Sequence, residues 1–237
     1  MKAMIFSAGL GTRFKPWTDN HPKALALVNG KSLLQRNIEY LQQYDIRDVV
    51  VNIHHFPEQI LEAIAQNDGW GSTITISDES DELLDTGGGL LKAKPLLYRE
   101  TLLTINVDIL TDLNLKYFLS QHQQENALIT LAVSERDTSR YLLFNKYNRL
   151  VGWRNISTGE EKIVIQARDM FQKAYSGLAL LEPEALDLIP FTGKFSMIDV
   201  FLALAPQHKI AGFDHTGEKL IDVGKPGSVE KAEKMFS

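Results

Sequence analysis

Four apolar residues, Ala3-Met4-Ile5-Phe6, run almost directly into Gly9-Leu10-Gly11-Thr12-Arg13. A short, unbroken apolar run bounded by a glycine-rich turn reads as a strand buried on both faces. Such a strand has no polar side to offer solvent, so it requires a sheet covered on both sides. The turn at its end is equally constraining. Glycines let backbone approach a ligand closely, and exposed N–H groups in such a turn favour an anion.

The residues that follow keep an alternating rhythm. Ser32 is placed to cap a helix whose Leu34, Ile38 and Leu41 share one face. Val49-Val50-Val51-Asn52-Ile53 reads as a second buried strand, and Pro57 suits the first turn of a helix with Ile60, Leu61 and Ile64 inward. Ile74 and Ile76 alternate with polar neighbours, as in a strand with one covered face. A loop containing Gly87-Gly88-Gly89 is expected to lead to a short helix, then to a strand at 102–107. Strands alternating with helices imply a largely parallel sheet flanked by helices.

Beyond about Ala127 the pattern changes. Ile129, Leu131 and Val133 alternate, Leu142 to Trp153 reads as a hairpin around Lys146 to Arg149, and Tyr175 to Leu181 is another strand. Helices are expected at Pro183 to Ile189 and Met197 to Ala205, strands at Ile210 to Phe213 and Leu220 to Val223, and a last helix at Gly227 to Met235. The expectation is one domain over 1–237, with a nucleotide-type half (1–126) and a β-richer half (127–237). The fold class is α/β, a Rossmann-like mixed and mainly parallel sheet.

Charge and cysteine content narrow the function. With 25 basic and 30 acidic residues the chain is mildly acidic, which argues against a general nucleic-acid binder. It has no Cys, so disulfides, thiolate zinc sites and cysteine nucleophiles are excluded. No apolar run reaches the ~18 residues of a membrane span, and the N-terminal run is too short for a signal-peptide core. A cytoplasmic protein without a membrane partner is the expectation, as a monomer or small homo-oligomer.

Three phosphate-binding loops compete for Gly9 to Arg13. A dinucleotide fingerprint needs a third glycine where Phe14 stands and an acid closing the second strand, where Asn52 and His54 stand. A P-loop needs Gly-Lys-Ser/Thr, which occurs nowhere. The third reading adds Pro16, Thr18 and Pro22-Lys23, so that Arg13 and Lys23 on one loop could reach different phosphates of a single triphosphate. Further along, Asp108 follows an apolar strand and Asp222 follows Leu220-Ile221. Ligands in open α/β sheets collect outside the carboxyl ends of strands, so the two carboxylates could converge over the phosphates. Either aspartate alone would more often be a turn or cap residue.

Gly9 to Arg13, Pro16, Thr18 and Pro22-Lys23 together resemble the signature of the sugar-1-phosphate nucleotidylyltransferases. The resemblance runs on through Leu84-Asp85-Thr86-Gly87-Gly88-Gly89, Asn106-Val107-Asp108, Tyr175-Ser176-Gly177 and Asp222-Val223-Gly224-Lys225-Pro226. Within that family the short chain and the Thr-Gly-Gly-Gly run look most like the N-acetylmuramate-1-phosphate uridylyltransferases, with short mannose- or heptose-1-phosphate guanylyltransferases close behind.

The resemblance implies transfer of a nucleoside monophosphate from UTP or GTP to a sugar 1-phosphate, for cell-wall or surface-glycan synthesis. It places Ser7, Ala8 and Gly9 to Arg13 around the triphosphate, with Arg13 and Lys23 as the catalytic cations. Gly87 and Gly88 lie against the base, Asn106 and Gly177 at the sugar, and Asp108 and Asp222 on Mg2+. Many relatives carry Gly where Val107 stands, and their acceptor-side Glu and Lys have no clear counterpart here; Lys162 and Lys173 stay unassigned. Because the chain ends soon after Asp222, a single activity without a β-helical extension is expected. A nucleotide-sugar-binding regulatory protein of the same fold is the alternative.

Overall fold

The computed structural model describes residues 1–97 and 100–237. In chain order the elements begin with β1 (Lys2–Phe6), a two-strand hairpin of β2 (Leu27–Val28) and β3 (Lys31–Ser32), α1 (Leu33–Gln42) and β4 (Asp48–Ile53). Then come α2 (Pro57–Gln66), β5 (Thr73–Asp78), α3 (Asp85–Ala93), β6 (Leu102–Asn106), β7 (Ile109–Thr111) and α4 (Leu115–Glu125). The second half runs through β8 (Ile129–Ser134), β9 (Arg140–Asn145), β10 (Leu150–Asn155), β11 (Glu160–Ile163) and β12 (Met170–Leu181). It closes with α5 (Met197–Leu204), β13 (Ile210–Asp214), β14 (Leu220–Asp222) and α6 (Val229–Met235).

The main sheet has the order β11-β10-β9-β12-β6-β1-β4-β5, with β8 joined to β12 and β13 to β8. β6, β1, β4 and β5 run parallel, and β12 runs antiparallel to β6, β8 and β9. Two reversals through β12 leave β8, and β13 parallel to it, pointing the same way as β1. The carboxyl ends of six strands therefore share one edge.

Alternating side chains explain why both faces of β1 are buried. Ala3 and Ile5 pack with α1, Ile60 of α2 and Phe118 of α4 in one cluster. Met4 and Phe6 join Leu90 of α3 and Val200 and Phe201 of α5 in the other. β12 bridges the halves. Its C-terminal part pairs with β6 and β8, its N-terminal part with β9, and its register slips between Tyr175 and Ala179 at Gly177, where φ is 82°.

Several local signals act as the sequence suggests. Ser32 Oγ accepts the Gln35 N–H at 3.1 Å, Pro57 opens α2, and Ser196 with Asp199 forms a full capping box on α5. Three expectations need correction. Leu61 faces solvent, because only Ile60 of that pair lies on the buried stripe of α2. The 183–189 segment makes only a 3-10 turn, Pro183–Leu186. Gly87, Gly88 and Gly89 form no loop before α3 but lie inside it. The reason is steric: a Cβ on Gly87 would stand 2.5 Å from the Phe195 ring and 2.8 Å from the Ser196 carbonyl, so the 193–196 segment can close on the helix only where side chains are missing.

Candidate active site

The shared carboxyl edge of the sheet carries the polar residues. Gly11 turns the loop after β1 with φ 59°, a conformation that costs an L-residue roughly 1–2 kcal/mol. Thr18 fastens that turn by donating its hydroxyl to the Gly11 carbonyl at 2.9 Å. The fold of the loop onto itself brings Lys23 back beside Gly11, where a Cβ would meet Thr18 Cγ2 at 2.8 Å and Lys23 Cβ at 3.1 Å. Gly11→Ala should therefore cost about 2–3 kcal/mol by strain and crowding together, read as a lower urea midpoint with unchanged slope. An unaltered midpoint would show that the turn is not under this constraint.

Lys23 reaches across to Asp108, Nζ to Oδ2 at 2.5 Å, with the two side chains only 14% and 13% exposed. Asp108 is held from three directions. Val107 N–H donates to Phe6 O at 3.1 Å, buried Asn37 of α1 donates to Val107 O at 3.0 Å, and Asp108 O accepts Val223 N–H at 2.8 Å. That last bond, with the antiparallel pairing of Asp222 and Ile109, carries Asp222 next to Asp108 although 114 positions separate them in sequence. The Val107 side chain is buried in the core.

Electrostatics at this junction are strained in a way that suits a cation. Asp222 is open to the cleft, yet its carboxyl pKa is pushed above the ordinary value by burial of its inner side and by the like charge of Asp108. Arg13, Lys23 and Arg136 pull the other way. Arg13 and Asp222 meet at Gly224: a Cβ there would stand 2.5 Å from Asp222 Oδ1 and 2.9 Å from Arg13 Nη2. Two adjacent hard-oxygen donors, one with its charge held against an opposing carboxylate, fit a magnesium-type ion that takes one or two carboxylates and completes its shell with phosphate and water. Among the described residues no group of three or more His, Asp or Glu side chains forms a closed metal cage.

Two clefts flank this junction. One, about 320 Å³, is lined by Ser7, Ala8, Gly9, Lys23, Asn106 and Asp108 together with Asn52, Glu79, Asp85 and Thr86. The other, about 520 Å³, is lined by Arg13 and Asp222 with Arg136, Arg140, Trp153 and Tyr175. The structure thus gathers Ser7, Ala8, Gly9, Lys23, Asn106 and Asp108 in one cleft and Arg13 and Asp222 in its neighbour. Leu10 is exposed, and Thr12 opens a 3-10 turn reaching Phe14, so Leu10, Gly11 and Thr12 shape the loop without lining either cleft. Gly177 packs beneath Asn106 and Ile109 at the β12 bulge.

Gly87 and Gly88 are not at the cleft surface. Both are buried, and both N–H groups donate to the Phe195 carbonyl, at 2.9 and 3.1 Å. Asp85 (φ 60°) and Thr86, one step earlier, form the cleft wall there.

Sequence reasoning missed Glu79. It is fully buried at the end of β5, and burial raises its pKa while hydrogen bonds from Asn52 and Leu84 oppose the rise. Asn52 links it to the loop after β1: Ser7 N–H donates to Asn52 Oδ1 at 2.7 Å, Asn52 Nδ2 donates to Glu79 Oε1 at 2.7 Å, and Ser7 Oγ donates to Asn52 O. Leu84 N–H donates to Glu79 Oε2 at 3.3 Å, tying in the start of α3. Its signal was available, because Glu79 follows the carboxyl end of β5 just as Asp108 follows β6. Arg136, two residues past β8, carried the same signal.

Comparison with known proteins shows the family and the fold. Residues 2–145 match the family described as nucleotidyl transferase. The N-acetylmuramate alpha-1-phosphate uridylyltransferase of Neisseria meningitidis serogroup B is 28% identical over 235 residues, 99% of this chain and 98% of that one. The mannose-1-phosphate guanyltransferase of Pichia angusta is 27% identical over 95% of this chain, which spans 61% of the yeast protein's length. In fold, HddC from Yersinia pseudotuberculosis, solved with GMP-PN, superposes with a TM-score of 0.79 at 22% identity, covering 100% and 99% of the two chains. UDP-glucose pyrophosphorylase complexed with UDP-glucose superposes at 0.77 with 17% identity, over 99% and 97%. With its parallel core, its glycine-turn loop and a match over more than half its length, the chain belongs to the nucleotidyl transferase family.

Proposed function

We propose that the protein transfers a nucleoside monophosphate from UTP or GTP to a sugar 1-phosphate, forming a nucleotide sugar and releasing pyrophosphate. The observation that carries this reading is the convergence of Lys23, Asp108, Asp222 and Arg13 at the carboxyl edge of the sheet, between two clefts. One cleft suits the nucleotide and the other the acceptor. The incoming phosphate oxygen is already anionic and needs no general base. It forms a bond to the α-phosphorus as the α–β anhydride bond breaks, and the electron pair leaves with pyrophosphate.

Positioning and charge stabilisation carry such a transfer. Ala8 and Gly9 would offer backbone against the phosphates, and the Asn52–Glu79 network, which takes the Ser7 N–H, holds that loop in place. Lys23 offsets charge at the α-phosphate and Arg13 charge on the leaving pyrophosphate. Asp108 and Asp222 would hold Mg2+, which supplies additional positive charge and orients the phosphates. The base would meet the wall at Asp85 and Thr86 with Gly87 and Gly88 supporting it from behind, and the sugar would lie near Asn106 and Gly177. The product would serve cell-wall or surface-glycan synthesis in the cytoplasm; no described helix is long and apolar enough to cross a membrane.

The test is pyrophosphate release with each of four nucleoside triphosphates, magnesium and a panel of sugar 1-phosphates, N-acetylmuramate 1-phosphate and mannose 1-phosphate included. Release should require both substrates and the metal. Tight nucleotide-sugar binding with no release for any acceptor would favour a regulatory binding protein instead.

A further inference from the structure

The cleft beyond Asp222 holds more positive charge than a single acceptor phosphate uses. Besides Arg13, assigned above to the leaving pyrophosphate, two further arginines, Arg136 and Arg140, line it against one carboxylate, Asp222. Nearby acids are engaged or turned away: Glu135 and Asp214 both take Lys173, at 2.6 and 2.7 Å, and Asp137 lines the adjoining hollow with Lys231. Arg136 donates to the Tyr175 carbonyl at 2.9 Å and shares both this cleft and the adjoining hollow with Asp222, which places it at the reacting end. Arg13 stands there too, across Gly224 from Asp222.

Arg140 stands at a different part of the wall. Side chains two apart on a strand share a face, so Arg140 and Leu142 of β9 look the same way. Across the ladder they face Asn155 and Trp153 of β10, and Trp153 in turn faces Lys162 of β11. Lys162 Nζ lies 5.7 Å from the centre of the Trp153 ring. The opposite face of these strands carries Arg154, already closed by Glu161 at 2.5 Å. Among the described residues the Arg140 guanidinium has no hydrogen-bond or carboxylate partner; only its backbone is engaged, in the ladder opposite Asn155 and with its N–H donating to Thr138 Oγ1. The far wall thus presents an aromatic ring beside an uncommitted guanidinium. An aromatic face takes the apolar side of a sugar ring, and a guanidinium pairs bidentately with a carboxylate.

We propose that Arg140 is a specificity-determining residue that selects an acceptor sugar phosphate bearing a second anionic group, a carboxylate remote from the phosphate, with Trp153 packed against the sugar. This rests on the transferase reading above, and the experiment separates the two. The readout is the ratio of kcat/KM for an acidic sugar 1-phosphate to that for its neutral counterpart, in two pairs: N-acetylmuramate against N-acetylglucosamine, and glucuronate against glucose.

The wild-type protein should favour the acidic member of at least one pair by about tenfold, the lower end for a partly exposed charged hydrogen bond. Arg140→Gln should erase most of that preference, chiefly through KM, and Arg140→Lys should restore part of it. Raising the salt should shrink the wild-type ratio. Arg154→Gln, on the opposite face of β10, should leave the ratio alone. Preference for the neutral member in both pairs, or a ratio untouched by Arg140→Gln, would overturn the proposal. If no acceptor yields pyrophosphate, the transferase reading fails, and the selectivity is read from equilibrium binding of the same pairs. Equal affinities in wild type and Arg140→Gln would then overturn it separately.

Discussion

Replacing Lys23 with Ala should lower turnover by about 10²–10³-fold, the scale of losing one transition-state charge partner. Two effects act together. The ammonium proposed to offset charge on the α-phosphate disappears, and Asp108 loses the partner that Nζ provides at 2.5 Å. Lys23→Arg should recover little. The side chain stands at 14% exposure inside a turn bounded by Gly11 and Thr18, so a planar, bulkier fork does not fit where a compact ammonium does. Pyrophosphate release under saturating substrates gives the rate, and a urea titration of the same variants separates catalytic loss from unfolding. Turnover within threefold of wild type in Lys23→Ala would remove it from the chemistry.

Asp222→Asn should separate activity from stability in opposite directions. Magnesium-dependent turnover should fall by at least about 10²-fold, because the phosphates lose one of the two carboxylates proposed to hold the metal. Without metal the same variant should melt slightly higher, by about 1–3 °C after allowance for solvent screening. The sign follows from the raised pKa. A carboxyl whose pKa is higher in the folded chain binds more protons there, so its charge costs stability at neutral pH. That cost fades as pH falls through the raised value towards the ordinary 3.8. The gain from Asn should therefore be seen at pH 7 and vanish in acid. Added magnesium should raise the melting temperature of the wild type and not of the variant, since only a ligand of the native state does so. A variant that melts lower at neutral pH without metal would show that Asp222 is a structural partner and not a strained one.

The two predictions draw on different kinds of information. The strand Ala3 to Phe6, the glycine turn and the strand–helix alternation were legible because local chemistry decides them: apolar runs must be buried on both faces, and Ser32 and Pro57 mark helix starts wherever they stand. The position of Asp108 was legible for a related reason, since strand ends in a parallel sheet share an edge, whereas Lys23 was read only as a second cation on the loop after the first strand. What periodicity left undecided was closure between distant segments. Nothing in Gly87-Gly88-Gly89 announces that Phe195 will sit on it, so glycines that read as a flexible loop became the crowded first turns of a helix.

Charge at the active site divides in the same way. The sequence by itself determined a parallel α/β core and a glycine turn after its first strand, because backbone geometry and alternating burial act over a few residues at a time. Only the tertiary structure decided that Asp222 stands against Asp108, through one strand pairing and one backbone hydrogen bond across 114 positions. It alone also decided that Glu79 is buried behind Asn52 and that Arg140 looks into the cleft. The energy of each such group depends on which charges and how little water surround it, and those are fixed by chain closure, not by neighbours in sequence.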